Sequence, residues 1–192
     1  MRSHLDPQIE VVIKNYFLPP RGRALTYAQR RAHRRLQWWR TVVSAVRSRT
    51  SGYCVQNFTD LESDWCFGLE ILLHKGVRSF LDDDRRLLQR LNGTKRSLFA
   101  FVSILAPYFY YYIMEMHWPA GVERPVFSYH RPTKVERQEA VRPLGAELQV
   151  HGFKLVPRAA AQEVLPGIKT ECLAKGETTV FNCLFSDLHH PH

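Results

Sequence analysis

The most constraining feature of this chain is an apolar run at its centre, residues 98–114, which contains no charged side chain. A run of this kind is buried in a protein core or in a membrane. A membrane-spanning helix needs about 20 such residues, and this run is interrupted by Ser103 and Pro107. We therefore interpret residues 95–117 as a central buried helix, kinked near Pro107, and expect no membrane span.

Capping chemistry predicts the other helices. Asp6 followed by Pro7 offers a side-chain acceptor and then a residue that needs no N–H at the first helical position, which predicts a helix over 7–17. Three Thr-x-x-Glu/Gln patterns, beginning at residues 26, 59 and 133, fit the reciprocal capping box. They predict helices over 27–47, 61–81 and 133–151, and a short helix is predicted to follow Asp82-Asp83-Asp84 and to end at Asn92-Gly93.

The last 40 residues have a different pattern. Residues 153–156 predict a short strand, and residues 168–173 and 178–185 predict a hairpin joined by a four-residue loop. The predicted fold class is thus α+β and α-rich, a bundle of about five to six helices with a small C-terminal antiparallel β-hairpin or three-stranded sheet. We expect one domain over 1–192, helical over about 7–151, β-containing over about 152–188, with a flexible tail at 189–192.

Positive charge is concentrated near the N-terminus. Residues 11–59 contain one lysine, nine arginines and no Asp or Glu, which is +10 against a net charge of +9 for the whole chain. The remaining residues therefore sum to −1. Any long-range attraction for an anionic partner must originate in this stretch, whose arginines are Arg21, Arg23, Arg30, Arg31, Arg34, Arg35, Arg40, Arg47 and Arg49.

The predicted binding residues lie in the middle of this stretch. Helical spacing puts Arg31, Arg34, Arg35 and Trp38 on one side of the predicted second helix. Arginine with tryptophan is typical of protein–protein hot spots and also of surfaces that contact phosphates and stack bases. Solvated or internally paired arginines are the third alternative. The predicted partner-binding set is Arg30, Arg31, Arg34, Arg35 and Trp38.

No familiar catalytic or phosphate-binding motif is present, and the four cysteines form no C-x-x-C pair. We interpret the three aspartates at 82–84 as a helix N-terminus rather than a cation site, and the terminal His189, His190 and His192 as a tail rather than a metal site. The sequence predicts free thiols, no cofactor, no metal and no enzymatic activity. An enzyme would need a pocket that groups residues such as Asp64, Glu70 or His74 with tyrosines.

These observations favour a cytoplasmic, non-enzymatic interaction protein, of an inhibitor, immunity or adaptor type. It would bind a partner protein with an acidic surface through the basic helix. A nucleic-acid-binding protein that uses the same helix is the alternative. Membrane association through residues 98–114 is a further alternative, which fractionation would test.

Overall fold

A six-stranded β-sheet forms the middle of this protein in the computed structural model. The structure describes residues 6–18, 23–50, 52–77, 85–119, 122–186 and 188–189, and for Arg23 and Arg85 the backbone alone. The strands are β1 (Cys54–Asn57), β2 (Cys66–Leu72), β3 (Thr94–Ser103), β4 (Tyr108–His117), β5 (Val126–His130) and β6 (Lys154–Leu155). Strands β1 to β5 form an antiparallel meander in chain order, and β6 pairs with β4 in parallel. The predicted helical bundle with a small C-terminal hairpin is therefore wrong.

The apolar run at 98–114 is not a kinked helix but the greater part of a β-hairpin. Strands β3 and β4 pair in antiparallel register with Phe101 opposite Tyr110, and Pro107 lies in the turn between them. Both faces of these strands are covered, so the run lacks the alternation that marks a half-exposed strand. Its aromatic and β-branched residues favour an extended backbone. None of the helices in the described residues is long and apolar enough to cross a membrane.

The locally determined helices are confirmed. The first helix, α1 (Pro7–Phe17), begins where predicted, with the Asp6 carboxylate accepting the Gln8 N–H at 2.9 Å. The predicted helix at 133–151 is also present, as α5 (Lys134–Glu136), a π-helical turn (Arg137–Val141) and α6 (Arg142–Val150). Its capping box joins Thr133 and Glu136 in both directions.

Other helix predictions fail at their ends or entirely. The predicted helix at 27–47 is two helices, α2 (Arg23–His33) and α3 (Leu36–Arg49), separated by a turn. The predicted helix at 61–81 is wrong, because its centre is strand β2.

The short helix α4 (Arg85–Arg90) is confirmed, and Asn92 and Gly93, which follow it, have left-handed φ angles. The aspartates at 82–84 lie outside the described residues.

The C-terminal hairpin is also wrong. Strand β6 lies within the predicted strand at 153–156 and is followed by helix α7 (Arg158–Ala161). The predicted strand at 178–185 is mainly helix α8 (Val180–Leu184). Thr179 begins it through a capping box with Asn182, a local signal that outweighs the strand preference of the valine and phenylalanine residues.

Helices cover both faces of the sheet. On one face α3 and α6 pack over β2, β3 and β4, and the core there includes Trp39, Val43, Phe67, Leu98 and Leu144. On the other face α1, α7 and α8 pack over the same strands, and that core includes Phe17, Phe101, Tyr110, Phe181 and Phe185. Helix α2 packs against α1. One surface of α2 therefore stays open to solvent.

Candidate functional site

The exposed side of α2 carries a stripe of one tyrosine and three arginines. Arg30, Arg31 and Arg34 follow Tyr27 by three, four and seven positions, which places all four on one side of α2 and of the turn after it. All four side chains are exposed, and Tyr27 is 69% exposed. We call these four residues the α2 stripe. Ala28 and Ala32, on the opposite side, are buried.

The arginines of the α2 stripe have no carboxylate partner among the residues that the structure describes. Within the described residues, no Asp or Glu oxygen lies within 4.0 Å of Arg30, Arg31 or Arg34. Residues 11–59 contain no acidic residue, so no partner lies nearby in the sequence, and no other described segment brings a carboxylate within 4.0 Å. The stripe is consequently a surface of uncompensated positive charge.

Two arginines at the end of α3 are held by contacts within the protein. Arg49 pairs with Glu147 of α6 at 3.2 Å. Arg47 donates to the carbonyl oxygen of Val55 at 3.0 Å. These two arginines connect α3 to its neighbours. Arg21 lies outside the described residues.

The turn that follows α2 is held by an aromatic cluster. The Arg35 guanidinium carbon lies 4.4 Å from the centroid of the Trp38 ring, a cation–π contact. Trp38 in turn stacks on Phe153 at 5.9 Å and meets His151 edge-on at 5.3 Å. Burial lowers the pKa of Arg35, and repulsion from the positive Arg31 lowers that pKa further. The like charges of Arg31 and Arg35 are thus close enough to interact.

The five predicted binding residues therefore fall into two groups. Arg30, Arg31 and Arg34 point to solvent, while Arg35 and Trp38 are partly buried beneath the turn. The assignment of all five to partner binding stays a prediction. The first three side chains can reach a partner, whereas Arg35 and Trp38 support the turn that follows α2.

Sequence reasoning missed Tyr27. The spacing that links it to Arg30, Arg31 and Arg34 is visible in the sequence. A continuous helix over 27–47 would put the Trp38 ring beside these arginines, and for that reason Trp38 is the predicted aromatic binding residue. Because a turn at Arg34 and Arg35 interrupts the helix, the helical spacing between Trp38 and these arginines does not hold. Tyr27 is the exposed aromatic residue of the α2 stripe.

The helix dipole provides a modest structural reason for some of this charge. Arg30, Arg31 and His33 lie in the last turn of α2, where the carbonyl ends of the helix stabilise cations. Such an interaction contributes about 0.3–1 kcal/mol at an exposed position. It does not require three arginines and a tyrosine on one face.

A second charged cluster, around Arg96, is internally neutralised. Arg96 Nε donates to Glu136 Oε1 at 2.6 Å, and its Nη1 lies 3.2 Å from Glu115 Oε2. Burial raises the pKa of Glu136, but hydrogen bonds from Arg96 and from Thr133 outweigh it and leave that pKa below its ordinary value. His74 Nε2 accepts the backbone N–H of Arg96 at 3.0 Å. Burial and the Arg96 charge lower the pKa of His74.

A buried ion pair lies between β2 and β3. Lys95 Nζ is 3.2 Å from Glu70 Oε1, and these side chains are 6% and 4% exposed. Glu70 and His74 thus belong to separate interactions. Burial raises the pKa of the nearby Cys66 thiol, and the charge of Asp64 raises that pKa further, which keeps the thiol protonated.

The structure offers no metal centre among the residues it describes, where no three His, Cys, Asp or Glu side chains group around a common point. His189 lies near the rings of Phe58 and Phe101, and its carbonyl oxygen accepts from Asn182 at 2.9 Å. His190 and His192 lie outside the described residues.

Comparison of the chain with protein-family models, with curated proteins and with solved structures finds no match in any of the three. A functional conclusion must therefore be built from the surface itself.

Proposed function

We propose that this chain is a non-catalytic interaction protein that binds an acidic surface of a partner protein through the α2 stripe. An inhibitor, immunity-type or adaptor role fits such a mode of action. The observation that carries the proposal is the absence of any carboxylate within 4.0 Å of Arg30, Arg31 and Arg34 among the described residues.

Two further features support the proposal. Tyr27 adds a rigid amphipathic ring beside the arginines, and tyrosine and arginine are enriched at binding hot spots. The turn after α2 is anchored by Arg35 and Trp38, so the stripe is presented on an ordered support. Preorganisation reduces the entropy that is lost on binding.

We also infer a cytoplasmic setting. Its support is that no disulfide bond joins Cys54, Cys66, Cys172 and Cys183. Free thiols are typical of proteins in a reducing compartment.

A matched pair of triple variants tests the proposal. In the first variant Arg30, Arg31 and Arg34 become alanine. In the control Arg124, Lys169 and Lys175 become alanine, which removes the same charge from exposed positions that also lack an ion pair within the described residues. Both variants and the wild type serve as bait for affinity capture with quantitative mass spectrometry after nuclease treatment.

The expected result is a captured protein that the α2 variant loses and the control retains. Its association rate constant with purified wild type should fall as salt rises, because charge complementarity speeds encounter. If the α2 variant captures the same proteins in the same amounts as the control, the α2 stripe is not the interface.

Nucleic-acid binding is the second candidate, and the 69% exposure of Tyr27 beside three arginines is the observation that favours it. Exposed aromatic rings can stack on bases while arginines contact phosphates. If Arg30, Arg31 and Arg34 each neutralise one phosphate of duplex DNA, log affinity should fall against log salt with a slope of about −2.7. A salt titration with a duplex and a single strand measures this slope. Binding that is absent, or insensitive to salt, removes this candidate.

A further inference from the structure

A cleft opens at the edge of the sheet, on the opposite side of β4 from β3. It has a volume of about 320 Å³ and lies between the end of β5 and the end of β6. This volume is at the lower end of the range for small-molecule sites. The cleft is lined by three consecutive tyrosines of β4, Tyr110, Tyr111 and Tyr112, and by residues that follow the two flanking strands.

The cleft exists because two short strands share one edge of β4. Strand β5 pairs with Ile113 to His117, and β6 pairs with Tyr108 and Phe109. The segment between them is covered by neither strand. Both flanking strands are followed closely by proline, Pro132 after β5 and Pro157 after β6, and proline cannot donate a further ladder hydrogen bond.

The backbone of Tyr111 faces this gap. The N–H groups of Lys154 and Val156 donate to the carbonyl oxygens of Pro107 and Phe109, so the odd-numbered residues of β4 direct their polar groups to this edge. Tyr111 is the next in that series. Within the described part of the chain, no backbone hydrogen bond joins it to Val156 or to Pro132. One N–H and one C=O of the sheet are therefore open to a ligand.

Positive side chains stand on both sides of the gap. Arg131 follows β5 and Arg158 follows β6, and both line the cleft and are exposed. Neither lies within 4.0 Å of a carboxylate among the described residues. The carbonyl oxygen of Arg131 accepts from Arg96 Nη2 at 3.2 Å, which fixes the backbone on that side. Two arginines without a carboxylate partner among the described residues therefore border the same cleft.

We propose that this cleft binds a peptide-like carboxylate of about dipeptide size, whose amide pairs with the backbone of Tyr111 and whose carboxylate is held by Arg131 and Arg158. The amide would extend the sheet by one residue, as a peptide does when it adds to a sheet edge. Arginine matches a carboxylate through two parallel hydrogen bonds. This site is separate from the α2 stripe, and its test does not depend on that proposal.

The test is a titration followed by amide NMR of the full chain. The first probe is N-acetyl-alanyl-alanine, and the second is the same dipeptide with a C-terminal amide in place of the carboxylate. A third probe is methylated on the amide nitrogens and has no N–H to donate to the Tyr111 carbonyl oxygen. An eight-residue peptide that ends in the same two residues distinguishes a protein C-terminus from a free small molecule as the source of the ligand.

The carboxylate probe is expected to shift the amide resonance of Tyr111 and those of its neighbours in the cleft. The amidated and the methylated probes should each bind about tenfold more weakly or worse, because each loses hydrogen bonds that the dipeptide makes, and a hydrogen bond to a charged group contributes most. The double substitution R131A/R158A should cause a similar loss, and R124A, which removes an exposed charge outside the cleft, should not. If the longer peptide binds as well as the dipeptide, the ligand is a chain terminus; if only the dipeptide binds, the ligand is a free molecule.

Two results would overturn the proposal. One is that the carboxylate probe causes no shift at Tyr111 at millimolar concentration. The other is that inorganic phosphate and the methylated probe bind as tightly as the dipeptide, which would mean that Tyr111 takes no part in recognition. Because the comparison of probes uses the wild type, it does not depend on whether the variants fold.

Discussion

Arg31 and Arg96 carry the same charged group in opposite surroundings. The Arg96 side chain is 17% exposed and is held by Glu136 and Glu115. Arg31 is exposed, and its positive charge lowers the pKa of the neighbouring Arg35. Arginines such as Arg96 stabilise this fold, and arginines such as Arg31 can be used for binding. Their surroundings distinguish them, because the residue type is the same.

The deepest charge pair should give the largest effect on stability. Substitution of Lys95 by alanine leaves the Glu70 carboxylate in a nearly closed site, so the free energy of unfolding should fall by about 3–5 kcal/mol. Urea denaturation measures this loss. Lys169→Ala, at an exposed position, is the control and should change stability by less than about 0.5 kcal/mol. Equal effects of the two substitutions would mean that burial of the pair is not what matters.

Substitution of Arg96 should cause the second-largest loss of stability. Arg96→Ala removes the partner of both Glu136 and Glu115, but water reaches part of the site, so we expect a loss of about 2–3 kcal/mol. The same denaturation experiment on Arg31→Ala is the direct comparison. A loss below about 1 kcal/mol for Arg96→Ala would contradict the structural role assigned to this cluster.

Substitution of Trp38 tests whether this aromatic residue stabilises the fold or is available for binding. Its ring packs against Phe153 and His151 while remaining partly exposed, so Trp38→Ala should destabilise the protein by about 2 kcal/mol. Tyr27→Ala is the matched control, because its ring is 69% exposed and should contribute little to stability. If the two substitutions changed thermal stability equally, Trp38 would not be a supporting residue.

Acid should weaken the Arg96 cluster and leave the α2 stripe unchanged. The pKa of Glu136 is lower in the folded protein than its ordinary value of 4.5, so Glu136 stabilises the fold above that value. This contribution is lost as the pH falls through the lowered pKa. Stability measured from pH 6 to pH 3 should decrease less steeply in Arg96→Ala than in the wild type. A steeper decrease in the variant would show that the sign of this effect is wrong.

The α2 stripe should give the smallest change in stability. Each of Arg30→Ala, Arg31→Ala and Arg34→Ala should alter the free energy of unfolding by less than about 0.5 kcal/mol, since all three side chains are exposed and no ion pair within the described residues holds them. Circular dichroism with thermal melting measures it. A large loss for any one of the three would reveal a structural contact and argue against an open binding surface.

The sequence predicted two helix starts correctly from local chemistry, while the same kind of capping pattern at Thr59 began no helix over 61–81. The N-terminus of α1 depends on Asp6 and its own neighbours, and the helix at 133–151 depends on the capping box of Thr133 with Glu136. The sequence left open whether Arg30, Arg31 and Arg34 are exposed or internally paired, and the structure places all three at the surface.

The central sheet could not be predicted in the same way. Strands β3 and β4 are covered by helices that come from both ends of the chain, so their burial on two faces erased the period of two that identifies a strand. The partners of Arg96 lie 19 and 40 residues away and become neighbours only through the pairing of β3 with β4 and the packing of α5. The cleft at Tyr111 depends on where two distant strands end, which no local pattern records.

An NMR titration of the wild-type chain with a polyglutamate peptide of about 20 residues tests the central claim most directly, because it asks where an acidic chain binds. We expect the largest amide shifts at Tyr27, Arg30, Arg31 and Arg34, with loss of these shifts at high salt. Shifts of equal size around Arg124, Lys169 and Lys175, or none at the α2 stripe, would contradict the claim that the α2 stripe is a binding surface for an acidic partner.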